Sequence, residues 1–381
     1  MRPSDEAELA EILRGANAPL AVRGGGTRGM AMAGEVLETG GIAGLVLYEP
    51  GALTLVARAG TPVAELDAML GGEGQRLAFE VPDMRRLLAR QGVSTIGGVV
   101  AMNASGPRRV QAGAARDFLL GVRFVDGRGE VVKNGGRVMK NVTGYDLARL
   151  MAGSRGTLGV MTEVALKVLP APEVQATLVA KALTAEAAVA TMARALGSPY
   201  EVTGAAHLEA GTPETRLRIE GMAGSVAYRS GRLAAMLGAG WEVVEAGASE
   251  ALWREVRDVL PFAGRAGAVW RVHLKPSDAP GLLAGLRRGR EVPAILDWGG
   301  GLVWLLMPGE GDGGAGPVRG AVAALGGHAT LVRSVQGMEA VTALPPEAPV
   351  LAALTDGLRR QFDPRGVLSG GGPVGQGVLS G

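Results

Sequence analysis

The sequence predicts an α+β chain of two domains, and three observations point there. Its 381 residues suffice for about two units of ordinary size, roughly 150 residues each. Glycine-rich turns crowd the first 170 residues and join short strands to short helices. From about residue 171 the texture changes to strand–helix–strand units, written twice, which suggests a smaller α/β cap on an antiparallel sheet of split βαβ type. The expected division is 1–170, 171–340 and 341–381, the last being a helix that returns to the first domain and then a flexible glycine-rich tail.

Each element has a local reason. Ser4 caps a helix with Asp5 and Glu6 in its first turn and Leu9, Ile12 and Leu13 on one face, ended by Pro19. "LAVR" (20–23) is a short strand entering a glycine run. "GLVLYEP" (44–50) and "LTLVARAG" (53–60) are strands either side of a Pro-Gly turn, and Pro62 opens the helix "PVAELDAML" (62–70). "STIGGVVAMNASG" (94–106) reads as a short β-like run bounded by glycines. "FLLGVRFVDGRGEVV" (118–132) is a hairpin around Asp-Gly, and "GTLGVMTEVALKVLP" (156–170) is an alternating strand stopped by Pro170. Beyond it, "TAEAAVATMARAL" (184–196) and "SVAYRSGRLAAML" (225–237) are helices beside the strands "TRLRIEGM" (215–222) and "WEVVEA" (241–246). A second round runs through "AVWRVHL" (268–274), "APGLLAGLRRG" (279–289), "AILDWGG" (294–300) and "GLVWLLMPG" (301–309). "GEGDGGAGP" (309–317) is a loop, and "PVLAALTDGLRRQFDP" (349–364) is a final helix.

Composition narrows the chemistry. Hydrophobic residues make up 47%, ample for a core, and 39 basic against 37 acidic side chains leave a formal charge of +2. The basic residues are scattered among acids, so no nucleic-acid stripe or polybasic membrane patch is expected. The chain has no Cys, which excludes disulfides, thiolate catalysis, Cys-ligated zinc and iron–sulfur clusters within it. Its three His, at 207, 273 and 328, lack metal-ligand spacing, so no metal is expected. "MRPSDEAELAEILRG" is acidic and amphipathic without an apolar signal region, and no uncharged apolar run reaches the roughly 18 residues that span a bilayer. The expected location is the cytoplasm. The 62 glycines reflect a compositional bias toward Gly, Ala and Arg, so only their placement informs.

"AVRGGGTRG" (21–29) poses the first question of function. Gly24, Gly26 and Gly29 fit G-x-G-x-x-G, with Glu49 twenty residues beyond Gly29, as in a dinucleotide-binding turn. Such a turn must lead straight into a helix, whose N-terminus holds the pyrophosphate. "MAMAGEVLETGGIAG" follows instead, with no helical apolar stripe, and Glu49 falls in a strand–turn–strand segment. The alternative is a cradle of backbone N–H groups, since consecutive glycines let the main chain take positive φ and approach a pyrophosphate closely. "TIGGVVAMNASGPRR" supplies a second glycine pair, and "TGYDLARLMAGSRGTLGV" a third glycine-rich element.

Three such elements, in this order and at this separation, resemble the FAD-binding domain of the vanillyl-alcohol oxidase flavoprotein superfamily over roughly residues 1–170. The resemblance implies a two-subdomain FAD-binding domain with a cap. In it the first loop and the Gly-Gly segment grip the pyrophosphate, and the Gly-Thr-Leu-Gly segment lies along the flavin and adenosine. It carries over onto Gly24, Gly25, Gly26 and Thr27, then Pro82, Thr95, Gly97, Gly98, Asn103, Ser105 and Gly106, then Gly156, Gly159 and Val160. Further along, "SGPRR", "VMKNVTGYDLARLMAGSRGTLGVMTEV", "WRVHLKPSDAP", "DWGGGLVWL", "HATLVR" and "FDPRGVL" resemble the smaller FAD-binding subunits of bacterial glycolate oxidases across nearly the whole chain. One departure is "VLSGGG" in place of the Asn-Pro-Gly usual after the Asp-Pro turn.

The resemblance also implies partners: a larger FAD-binding subunit that oxidises glycolate and an iron–sulfur subunit that takes the electrons, through which the chain would meet any membrane. With no Cys, and no His before residue 207, the FAD is expected to be noncovalent. The Glu-His pair and His-based metal cluster of related 2-hydroxy-acid dehydrogenases are missing, so no catalytic base is assigned. His273 reads as a hydrogen-bonded structural residue, with a catalytic base as the alternative. Arg271 and Arg333 have the fork that clamps a carboxylate, although lone strand arginines more often serve surfaces or interfaces. Trp270, Trp298 and Trp304 are expected in the cap core rather than stacked on flavin. Tyr145 and Asp146 either shape the flavin pocket or satisfy buried polar groups. Three readings of function stand: an FAD-binding subunit of a glycolate-oxidising complex, a self-sufficient FAD enzyme acting on an alcohol or hydroxy acid, and a structural subunit that has lost its flavin.

Overall fold

A computed structural model describes residues 1–28, 34–137, 144–309, 311–338 and 340–368. Gly29 of the first glycine motif and the "VLSGGG" departure from Ser369 onward lie outside the described residues.

The first 170 residues form two unequal parts. Strands β1 (Leu20–Arg23) and β2 (Glu35–Glu38) pair in parallel. They pack with helix Glu6–Gly15 around Leu9, Leu13, Leu20 and Leu37. Asp5, rather than Ser4, caps that helix by accepting from the Glu8 N–H at 2.9 Å, while Ser4 bonds the Glu8 carboxylate. The larger part is an antiparallel sheet in the order β3 (Leu45–Glu49), β4 (Thr54–Arg58), β8 (Val160–Pro170), β6 (Leu119–Val125), β7 (Val131–Gly135), with β5 (Gln75–Leu77) beside the end of β8. Helix Val63–Gly72 packs Val63, Leu66 and Leu70 into its core.

The segment expected as a β-like run is instead helix Ile96–Ala101. Thr95 caps it, and its apolar residues go into the core while Gly97 brings it against Ala59, just past the end of β4. A Cβ on Gly97 would sit 2.6 Å from that of Ala59, so the helix docks closer than any larger residue permits.

The cap is a doubled split βαβ unit. Its first half is β9 (Val174–Lys181), helix Ala185–Leu196, β10 (Gly204–Glu209), β11 (Glu214–Gly221), helix Ala223–Leu237 and β12 (Glu242–Glu245). The second half is β13 (Ala268–His273), helix Ala279–Leu286, β14 (Ala294–Asp297), β15 (Leu302–Met307), helix Ala315–Ala324 and β16 (His328–Arg333). The sheet order β12-β9-β11-β10-β14-β15-β13-β16 places the halves back to back, joined where β10 pairs with β14. Strands β9 and β10 and the connecting helix Ala246–Arg257 were not among the expected elements.

Buried charge links the cap to the first domain. Arg218 of β11, 1% exposed, donates to Glu80 at 2.8 Å, and Glu220 accepts from Arg108 and Arg76, both at 2.7 Å. Burial alone would raise both glutamates, yet Arg218 and Arg108, joined at Glu220 by Arg76, hold them below the usual carboxylate range. The Asp83 N–H donates to Asp258, and Arg333 reaches the Leu87 carbonyl.

The chain then returns to where it began. Helix Pro349–Phe362 ends with Phe362 against Phe124, ring centroids 6.0 Å apart. Asp363 accepts from the Val367 and Leu368 N–H groups, and those two side chains join the cluster around Leu9, Leu13 and Leu20. The Leu20 N–H donates to the Val367 carbonyl at 2.8 Å.

Candidate functional site

A cleft runs between the β1–β2 part and the larger sheet. Its first wall is the loop 24–28, which leaves β1 without entering a helix; the next described element is the strand β2. The backbone N–H groups of Gly24, Gly25, Gly26 and Thr27 donate to no acceptor among the described residues. Gly26 has φ of +68°, and nothing but the Arg23 side chain approaches the place its Cβ would take. Successive unpaired N–H groups in a turn with positive φ form a concavity for an anion. Glu49 is exposed at the end of β3 and lines no part of it, so the helix-led G-x-G-x-x-G turn with its ribose carboxylate falls away.

Thr95, Gly97 and Gly98 form the second wall at the start of helix Ile96–Ala101. Thr95 Oγ1 takes the Gly98 N–H at 3.4 Å. Gly156, Gly159 and Val160 form the third wall, entering β8. A Cβ on Gly156 (φ +81°) would sit 3.2 Å from the Val22 side chain, and one on Gly159 would lie 2.5 Å from the Phe124 ring. Both glycines let β8 begin flush with the cleft floor.

At Arg28, Met102 and Arg155 this cleft opens into a second one under the cap. Pro82, Asn103 and Ser105 line the near side; Arg271 of β13, Trp304 of β15 and Thr330 of β16 line the far side. Asn103 has φ of +45° and accepts at its Oδ1 from the Arg116 N–H, while Ser105 Oγ accepts from Arg109 at 2.9 Å. Gly106 lines neither cleft. Its carbonyl accepts from Trp298 Nε1 at 3.1 Å, and a Cβ there would strike Glu80, so it belongs to the domain junction.

The electrostatics are lopsided. Arg28 is held by the Pro82 carbonyl and Ser94, and burial pulls it down to about 10. Arg271 is also pulled to about 10, by burial first and then by the nearby charge of Arg109. Its guanidinium makes no hydrogen bond among the described residues and lies 5.6 Å and 5.8 Å from the rings of Trp298 and Trp304. Among the described residues lining this second cleft there is no Asp, Glu, His, Lys or Tyr. Next to it, fully buried Asp297 is raised to about 7 by loss of solvent, with only the Trp298 N–H as close partner.

The remaining candidates separate cleanly. Trp270 is core, its Nε1 donating to the Gly313 carbonyl. Trp304, 6% exposed, is core as expected, one edge of it facing the second cleft, whereas Trp298 departs from that expectation and sits half-buried at the domain junction under Arg109. Pattern could not separate them, because only the domain junction decides that Trp298, just after β14, is left half-buried while Trp304, within β15, is covered. His273 lacks the expected hydrogen bond at Nδ1; it stacks on His328 at 4.6 Å, and burial and Arg271 lower it to about 3. His207 is buried in β10 on Thr215, and none of the three histidines lines a cleft. Arg333 spends its guanidinium on the carbonyls of Leu87, Phe262, Arg265 and Gly267, which makes it a junction residue. Asp146 caps helix Leu147–Met151, and Tyr145 is 88% exposed. Sequence reasoning missed Arg28 and Arg155; a cation beside each glycine loop was the available signal.

Comparison with known proteins agrees with this geometry. The FAD binding domain family matches residues 1–135. The glycolate oxidase subunit GlcE of Escherichia coli (strain K12) is 36% identical over 93% of this chain and 92% of its own length. The glycolate oxidase subunit GlcD of Bacillus subtilis (strain 168) is 36% identical over 46% of this chain and 37% of its own length. A crystal structure of alkyldihydroxyacetonephosphate synthase superposes with a TM-score of 0.72, covering 97% of this chain and 76% of that one at 14% identity, a likeness of fold alone. The fold and the cleft define an FAD-linked oxidoreductase of the vanillyl-alcohol oxidase type. Within that class, the chain belongs to the family of the glycolate oxidase subunit GlcE.

Proposed function

We propose that the chain is the FAD-binding subunit of a glycolate-oxidising complex, working with a larger flavoprotein subunit and an iron–sulfur subunit to yield glyoxylate. The observation that carries this reading is the full-length match to a glycolate oxidase subunit, joined to a cleft that suits a dinucleotide. FAD fits the residues present. The unpaired N–H groups of Gly24 to Thr27 would take the pyrophosphate, with Gly26 leaving the approach open and Arg28 and Arg155 adding positive charge. Residues Gly156 to Val160 would flank the rest. Pro82, Asn103 and Ser105 face the second cleft, where the redox end belongs in this reading; Gly106 acts at the junction. Bound FAD supplies two-electron redox chemistry. This chain's residues would bind it, orient it and shield it under the cap.

The attachment is noncovalent, since the chain has no Cys and its histidines stand away from both clefts. A Cys-free chain holds no Cys-ligated cluster, so onward transfer needs a partner or a diffusible acceptor, and the resemblance to a glycolate oxidase subunit favours the partner. Among the described residues, no helix is long and apolar enough to cross a membrane, and no three His, Cys, Asp or Glu side chains gather as a metal site.

The test is an absorption spectrum of the purified chain before and after acid precipitation, with FAD added back, then assay with and without the two partner subunits. Yellow protein that releases free FAD and raises glycolate oxidation only in the assembled complex supports the reading. A chain that takes up no FAD, or a complex equally active without it, overturns it.

A further inference from the structure

We propose that Arg333 of the cap is a positioning residue for the flavin, and that residues 82–94 carry its hold across to the glycine loop 24–28. This rests on the reading that FAD fills the first cleft. The segment leaves and rejoins the flavin domain beside that loop. A Cβ on Gly92 would fall 2.1 Å from the Gly25 carbonyl oxygen and 3.8 Å from the Thr27 side chain. The Arg28 guanidinium spans the two ends of the segment, donating to the Pro82 carbonyl at 3.1 Å and to Ser94 Oγ at 3.5 Å. In between, the segment reaches into the cap. The Asp83 N–H donates to the Asp258 carboxylate at 2.8 Å, and Met84 and Leu87 are buried with Trp253, Val259 and Phe262. Arg85 ties the parts together by donating to the Asp83 carboxylate and, at 3.3 Å, to the Gly92 carbonyl.

Arg333 lines neither cleft, yet it fixes this segment. Its guanidinium gathers the carbonyls of Phe262, Arg265 and Gly267 from the cap and, at 3.1 Å, that of Leu87 from the flavin domain. Several converging acceptors leave a guanidinium little freedom, so Leu87 is held at a set distance from the end of β16. A glycine loop loses backbone freedom when an anion settles on it. A segment tied down at Leu87 and packed against Gly25 and Thr27 removes part of that freedom beforehand, so ordering the loop around FAD costs less. Linkage makes the effect mutual: FAD on the loop tightens the seat of the segment in the cap. Arg287 provides the comparison for a purely structural role. It too is a half-buried cap arginine donating to a carbonyl, but its partners, the Val292 carbonyl and Glu209, lie wholly within the cap.

The experiment strips FAD from the full chain and titrates it back, following flavin fluorescence at a temperature where every variant is folded by circular dichroism. Arg333→Met should bind FAD about 3- to 30-fold more weakly than wild type, and Arg287→Met should stay within about twofold of it. Arg333→Lys should recover part of the loss. Hydrogen exchange on the unaltered chain is the second readout. FAD should slow exchange at Arg85–Leu88 and at residues 262–267 of the cap, as well as at the glycine loop. Wild-type affinity in Arg333→Met, an equal loss in Arg287→Met, or protection confined to residues lining the first cleft would each overturn the proposal. Should Arg333→Met fail to fold, the exchange pattern decides. A wild-type chain that takes up no FAD overturns the functional reading along with this one, whereas uptake with confined protection overturns this one alone.

Discussion

Gly25 and Val93 are in backbone contact: a Cβ on Gly25 would fall 1.5 Å from the Val93 carbonyl oxygen. The first glycine loop is thus pinned by a neighbouring loop as well as left open to a ligand. Gly25→Ala should force the two loops apart and strip most of the FAD from the purified chain, read from the flavin-to-protein absorbance ratio. Gly15→Ala, where nothing lies within 4 Å, is the control and should retain it. Equal FAD content in both variants would mean that the loop contact does not shape the cradle.

The junction between the domains depends on buried carboxylates. Glu220→Gln removes the shared acceptor of Arg76 and Arg108, and such a change should cost about 3–5 kcal/mol in urea unfolding because buried cations lose their partner. Its folded pKa is depressed, so the stability it contributes is fully present above the ordinary glutamate range near pH 4.3 and is lost as pH falls below it. The variant should therefore be less sensitive than wild type to acidification in that window. A parallel pH dependence would show that the pair contributes nothing.

Asp297 and His273 pull in opposite directions as pH changes. Asp297 is raised to about 7, so its contribution is fully present below about 3.9 and lost as pH climbs through 7. His273 is lowered to about 3, so its contribution is present above about 6.5 and lost as pH falls toward 3. Between roughly pH 4 and 6.5 the two offset one another. Asp297→Asn should steepen the fall of Tm on acidification, and His273→Asn should flatten it, each by about 2–4 °C. Thermal melts from pH 4 to 8 check this; slopes that shift together rule out the opposition.

Leu368 is fully buried among residues from the other end of the chain. Leu368→Ala should cost about 2–5 kcal/mol. The loss should register in the flavin domain first, as FAD release at a lower temperature than the melting of the cap sheet. Simultaneous loss of both would indicate that the domains unfold as one unit.

Much of the fold was legible because periodicity and turn chemistry act locally. Pro170, the Asp126-Gly127 turn and the apolar stripe over Ala185–Leu196 each mark an element that the structure contains. Ile96–Ala101 was misread because two glycines in a short apolar run look like strand punctuation. Its helix is set by the Thr95 cap and by close docking on Ala59, which is a tertiary fact. The glycine loops were visible as residues, yet the reason for each was not: Gly25 answers to Val93, whereas Gly106 answers to Glu80. Arg271 was one strand arginine among several. Its distinction from Arg333, which is saturated with carbonyls, arises only when the cap meets the flavin domain.

Residues from both extremities close one hydrophobic cluster, with Leu9, Leu13 and Leu20 meeting Val367 and Leu368. During synthesis Leu9, Leu13 and Leu20 leave the ribosome long before Val367 and Leu368. The cap is contiguous in the chain, from Val174 to Arg333, and has all its strands before the last helix exists. A nascent chain at that stage carries a cap whose sheet can assemble and a flavin domain still missing its closing residues. Order of emergence thus lets the cap sheet form before the cluster that closes the flavin domain, and that cluster is completed by a segment lining neither cleft.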